Sequence, residues 1–156
     1  MKRRVGTVII LLSFGLSGCG PSVPISTEVK QEVEERDTMN INVNGQVASI
    51  QLEDNATTKA LVTEAPFTIQ MDDLHRNEKY HYFDQSFPTQ SQAIKSIEAG
   101  DVLLYQNNCL VIFYKSAKPV SSYTRIGKII DFQDIRTSFG NESVSVQWYE
   151  GEGGQL

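Results

Sequence analysis

Gly100-Asp101-Val102-Leu103-Leu104-Tyr105-Gln106-Asn107-Asn108-Cys109-Leu110-Val111-Ile112-Phe113-Tyr114 holds the longest apolar stretch of the chain after its N-terminus. The runs Val102 to Tyr105 and Cys109 to Tyr114 are too short for stable helices, and only Gln106-Asn107-Asn108 separates them. That pattern predicts a hairpin. Successive side chains of a strand point to opposite sides, so a hairpin apolar on both faces must be covered twice. It belongs in the middle of the molecule.

Shorter strands surround it. Asn40 to Val43 alternates, Asn44-Gly45 is the strongest two-residue hairpin signal, and Ala48, Ile50 and Leu52 continue with period two. Asp54-Asn55 can cap a short helix over Thr57 to Val62. Phe67, Ile69 and Met71 then alternate with Thr68 and Gln70, and Glu78 to Phe83 reads as an aromatic strand. Downstream, Phe132, Ile135 and Phe139 share a helical face, with Asp131 as the expected cap and Gly140 as the stop. Val144, Val146 and Trp148 line one side of the last strand. Many short strands with only two short helices do not suit a parallel βαβ fold. A mostly β, closed and mainly antiparallel barrel with two short capping helices suits them, because closure removes edges and places one strand face inside.

The N-terminus has another purpose. Met1-Lys2-Arg3-Arg4 precedes the apolar run Val5 to Leu16, and Leu16-Ser17-Gly18-Cys19 follows. The run falls short of the roughly 20 residues a spanning helix needs. It reads as a signal peptide over residues 1–18. Leu-Ser-Gly-Cys resembles the lipobox of bacterial lipoproteins, which implies a diacylglyceryl group on Cys19 and a chain held to a membrane by its lipid. Gly20 follows, so the aspartate that retains many Gram-negative lipoproteins at the inner membrane is absent, and either the cell membrane or the outer membrane remains open. Residues 19–38, with Pro21, Pro24, Ser22 and Ser26 before the charged Glu28 to Asp37, read as a flexible tether with a root-mean-square span of about 24 Å. A short helix over Val29 to Arg36 would shorten that reach. The domain is expected over residues 39–149, and residues 150–156 as a disordered tail.

Removing the signal peptide takes Lys2, Arg3 and Arg4 with it and leaves 11 basic against 19 acidic residues. Nothing in that balance favours nucleic acid or anionic lipid head groups, so the acyl chains must do the anchoring. The two cysteines are Cys19 and Cys109. With Cys19 lipidated, Cys109 has no intramolecular partner and is expected as a small buried hydrophobe.

Three constellations carry candidate chemistry. His75, His81, Asp72, Asp73, Glu78 and Asp84 carry metal-ligating groups, but their spacing matches no metal motif, and a solvated loop and strand face is expected. No Gly-x-Ser-x-Gly occurs to support a catalytic triad. Tyr80, Tyr82, Phe113, Tyr114 and Tyr123 with Arg125 could form a groove that stacks on a flat group while the guanidinium donates to a carbonyl. The competing expectation is barrel packing, with Arg125 paired to Asp101 or Glu78. No metal and no cofactor are expected.

Glu78-Lys79-Tyr80, Gly100-Asp101-Val102-Leu103-Leu104-Tyr105, Asn108 to Lys115 and Tyr123-Thr124-Arg125-Ile126-Gly127 resemble, in order and spacing, signature segments of the bacterial cyclophilin-like domain family. The resemblance covers about Met39 to Tyr149 and implies an eight-stranded barrel of cyclophilin type. The family itself is largely without an assigned activity. True cyclophilins are prolyl isomerases, with an arginine in a Phe-His-Arg segment beside a glutamine, a histidine and apolar residues. Here His75-Arg76 lacks the preceding phenylalanine and no Gln-Gly-Gly-Asp-like stretch follows, so that activity does not carry over residue by residue. The expectation is a tethered module that binds a peptide or small ligand through Tyr80, Tyr82, Phe113, Tyr123 and Arg125. A divergent prolyl isomerase and an accessory subunit of an envelope complex are its rivals.

Overall fold

The structure, a computed structural model, describes residues 38–151. The signal peptide, Cys19, the tether up to residue 37 and residues 152–156 of the expected tail lie outside the described residues.

The opening hairpin joins β1 (Thr38–Val43) to β2 (Gln46–Leu52). Its turn takes positive φ at both Asn44 (52°) and Gly45 (82°), as the Asn-Gly signal requires. Helix α1 (Ala56–Thr63) follows, and the Asn55 side chain accepts from the Thr58 N–H at 2.9 Å. Next come β3 (Phe67–Leu74) and β4 (Glu78–Tyr82), then a long connection that contributes only the two-residue β5 (Gln92–Ala93). The central hairpin is β6 (Asp101–Tyr105) and β7 (Cys109–Phe113), after which β8 runs Ser122–Ile129. A single helical turn α2 (Phe132–Ile135) passes into a 3-10 turn, Arg136–Phe139, before β9 (Val144–Tyr149).

All pairings are antiparallel, in the order β2-β1-β9-β3-β4-β7-β6-β8, and β2 then pairs with β8. Eight strands close on themselves, and β5 is an accessory on β8 that periodicity did not predict. The closing seam is divided along one edge of β8. Ser122 and Tyr123 pair with β5, Gly127 to Ile129 pair with β2, and the residues between them are held by the start of α1. There the Glu53 N–H donates to the Ile126 carbonyl (2.9 Å) and Asn55 Nδ2 to the Arg125 carbonyl (2.8 Å). Gly127 is required by this closure, because a Cβ there would lie 2.2 Å from the Gln51 carbonyl oxygen.

The central hairpin is covered twice, as its composition demands. Val102, Leu104, Leu110 and Ile112 face the barrel interior with Trp148, Met71 and Ile41. Leu103, Cys109, Val111 and Phe113 face outward, into a smaller cluster with Ile97 and Tyr123. Leu61, Phe132, Ile135 and Phe139 from the helical segments complete the interior. The second helix is shorter than predicted: it starts at Phe132 but gives way to the 3-10 turn at Arg136, and Asp131, left-handed (φ 50°), makes no side-chain cap, although the predicted apolar face is buried.

Candidate functional site

The outer face of β4 carries Glu78, Tyr80 and Tyr82 at alternate positions, with Phe113 of β7 opposite Glu78 and smaller residues opposite the two tyrosines. Val111 stands opposite Tyr80 and Cys109 opposite Tyr82. On the other edge of β7, Tyr105 of β6 stands opposite Cys109, and Tyr123 of β8 lies beyond it. Small side chains therefore form a floor between walls of tyrosine. The result is a depression of about 410 Å³ lined by those residues together with Leu74, Val120 and Ser121. Four of the chain's six tyrosines line it. Tyr80 and Tyr82 pack edge to face at 5.9 Å, and Tyr105 leans on Tyr123 at 5.9 Å.

Its electrostatics follow from burial. Glu78 is half-buried and its carboxyl is raised above the usual range, chiefly by desolvation, with His75 lowering it and Asp73 raising it further. Among the described residues it accepts no hydrogen bond and forms no ion pair. The Cys109 thiol is pushed up to about 11 by burial, against a contact with Tyr82 that lowers it, and the nearby Glu78 raises it again. At that value it is a poor nucleophile, consistent with a small buried hydrophobe. The rim is apolar and open: Val120 is 89% exposed and Tyr82 53%.

The five residues expected to form a groove divide. Tyr80, Tyr82 and Tyr123 come together in the depression. Phe113 lies on the same outer face but is covered, with Tyr123 packed edge to face on it at 6.2 Å. Arg125 is not among the lining residues, and its Nη1 stands 4.0 Å from Asp101 Oδ2. Tyr114, also weighed for the groove, faces inward, stacked on Phe139 and donating to Asp73 Oδ2 at 2.6 Å. Of the residues weighed as metal ligands, Asp72 accepts from Ser143, the ring Nδ1 of His81 lies 2.9 Å from the Gln70 carbonyl, and His75 sits in the β3–β4 turn with positive φ.

Tyr105, Cys109, Leu74 and Val120 belong to the depression but escaped the sequence reading. Strand register, invisible in composition, is what brings Tyr105 and Cys109 beside β4. A second feature lies beneath. Lys79, between Glu78 and Tyr80, points into the barrel and is fully buried. Its Nζ donates to Asp73 Oδ2 and to the Glu142 carbonyl, both at 2.7 Å, and lies 5.2 Å from the centre of the Tyr114 ring.

Fold and site define a small closed barrel whose concavity lies on the outside of its wall. The chain belongs to the cyclophilin-like family, whose sequence model matches residues 41–149. Among solved structures, the hypothetical protein AF2241 from Archaeoglobus fulgidus is similar, at 17% identity and a TM-score of 0.48, over 73% of this chain and 94% of that one. The structure of McbB in complex with tryptophan is similar at 10% identity and a TM-score of 0.53, over 76% of this chain and 46% of that one. At 10% identity the likeness to the latter is one of fold. No curated protein matches.

Proposed function

We propose that this protein is a lipid-anchored cyclophilin-like module of the cell envelope that binds a peptide side chain or small ligand in the tyrosine-lined depression. The observation that carries the reading is the depression itself: an open apolar hollow, of a volume typical of ligand sites, walled by four tyrosine rings. Three of the large apolar side chains that remain exposed, Leu74, Tyr82 and Val120, also line it. The anchor rests on Leu16-Ser17-Gly18-Cys19. Cys19→Ser should move the protein from the detergent phase to the aqueous phase on phase partitioning, and equal partitioning of variant and parent would refute the anchor.

Binding is tested by amide chemical-shift mapping of residues 20–156 against short peptides and aromatic amines. Perturbations confined to the strands that line it, β4, β6, β7 and β8, are expected, and their loss in Tyr105→Ala. The reading includes no isomerase chemistry, which would need a donor aimed at the twisted amide. Exchange spectroscopy on a proline-containing peptide should show background rates. Catalysis that disappears in Arg125→Ala, with the fold intact, would replace binding with enzymology.

A further inference from the structure

We infer that the depression selects a cationic group, an alkylammonium on an apolar stem, with Glu78 as its counter-ion and the tyrosine rings as its cage. The inference rests on the binding reading above and names the chemistry of what is bound. Glu78 stands at one end of the β4 row that continues through Tyr80 and Tyr82, so a ligand lying along that row meets the carboxylate and ring faces together.

A carboxylate removed from water is costly unless a cation or donor compensates it. Three cations of the barrel wall are already engaged. Lys128 pairs with Glu98 and reaches Asp101, Arg125 approaches Asp101, and Lys79, on the opposite face of the same strand, is bound to Asp73. Glu78 has neither hydrogen bond nor ion pair among the described residues, and the one positive group whose field lowers its carboxyl is His75. The site thus sets a carboxylate that has no hydrogen bond or ion pair among the described residues beside four electron-rich rings, the arrangement that attracts an ammonium by charge and by cation–π contact together. The excess of acidic residues in the exported chain, 19 against 11, adds a long-range attraction of the same sign. A lysine side chain and a free amine present the same group, and the rim, open at Val120 and Tyr82, admits either.

The test uses residues 20–156 and two probes of nearly equal shape, 3-phenylpropylammonium and 3-phenylpropan-1-ol, titrated at pH 7.5 by amide chemical shifts. The ammonium should bind about tenfold more tightly than the alcohol, with shifts at Glu78, Tyr80 and Cys109. In Glu78→Gln that ratio should fall to about threefold or less, the part the rings alone supply, with the spectrum still that of a folded barrel. A blocked lysine peptide beside its norleucine analogue repeats the comparison and separates the two sources of the cation. If both probes bind equally to the parent, the cation inference fails and the binding site stands. Preference for the ammonium that is undiminished in Glu78→Gln also overturns it. If neither probe binds, this inference and the binding reading fall together.

Discussion

Glu78 and Lys79 are adjacent, yet strand alternation sends one outward into a ligand-sized hollow and the other into the barrel, and their energetics diverge accordingly. Lys79 has compensation on every side. Burial works to raise the Asp73 carboxyl, but donation from Lys79, Tyr114 and the Arg76 N–H outweighs it and holds Asp73 below its ordinary value. A depressed carboxyl contributes stability above its unfolded value of 3.8 that is lost as pH falls through the folded value. Removing the cation strands that charge, so Lys79→Met should cost about 3 kcal/mol in chemical denaturation near neutral pH. Glu78 has the opposite sign. Its folded value is raised, so its contribution is full below the unfolded value of 4.5 and is lost as pH rises through the folded one. Glu78→Gln should therefore melt above the parent near pH 7.5 and converge with it below pH 4.5. A gain in stability on deleting a charge is the mark of a residue kept for binding and not for folding.

At the scale of elements, the seam is the informative place. Asn55 caps α1 and, through Nδ2, also holds the Arg125 carbonyl in the gap on β8 between β5 and β2. Asn55→Ala removes both, so the loss should exceed the roughly 1 kcal/mol of an ordinary cap and approach 2 kcal/mol. Amide exchange should quicken in β2 and β8 before it does in β6 and β7. The strands and α1 were legible because each carries a local signal: alternation in β1, β3 and β9, Asn44-Gly45 between β1 and β2, Asn55 before α1. The two-residue β5 has no period to detect, and it exists only because β8 offers it an edge. Asp131 failed as a cap because the residue itself entered a left-handed conformation, a demand of the incoming chain that no local pattern announces. The site was half legible for a related reason. Tyr80, Tyr82 and Tyr123 stand out as aromatics, whereas Tyr105 and Cys109 join them only through cross-strand register, and Arg125, on the same strand as Tyr123, is drawn toward Asp101.

The molecule as a whole is held by pairings distant in sequence: β1 beside β9, and β2 beside β8. Loop closure must precede the contacts that repay it, so refolding of residues 20–156 should take milliseconds to seconds, with a single cooperative unfolding transition. Cys109 supplies a chemical check on that cooperativity. Its thiol, raised to about 11 and on the floor of the hollow, should resist alkylation until the barrel opens, so labelling should track global unfolding. Rapid native-state labelling would show that the outer wall opens by itself. Trp148 offers an optical one. The chain's single tryptophan is buried, stacked on Phe67 at 5.7 Å, and its indole N–H has no hydrogen-bond partner among the described residues. An indole so isolated emits toward the blue, and opening the barrel to water moves that emission to the red. The tyrosines of the outer wall are natural energy donors to it, so a ligand that quenched them would dim the tryptophan's sensitised light without changing its colour. Occupancy and unfolding would then be read in one spectrum, the first as intensity and the second as hue, with no dye attached.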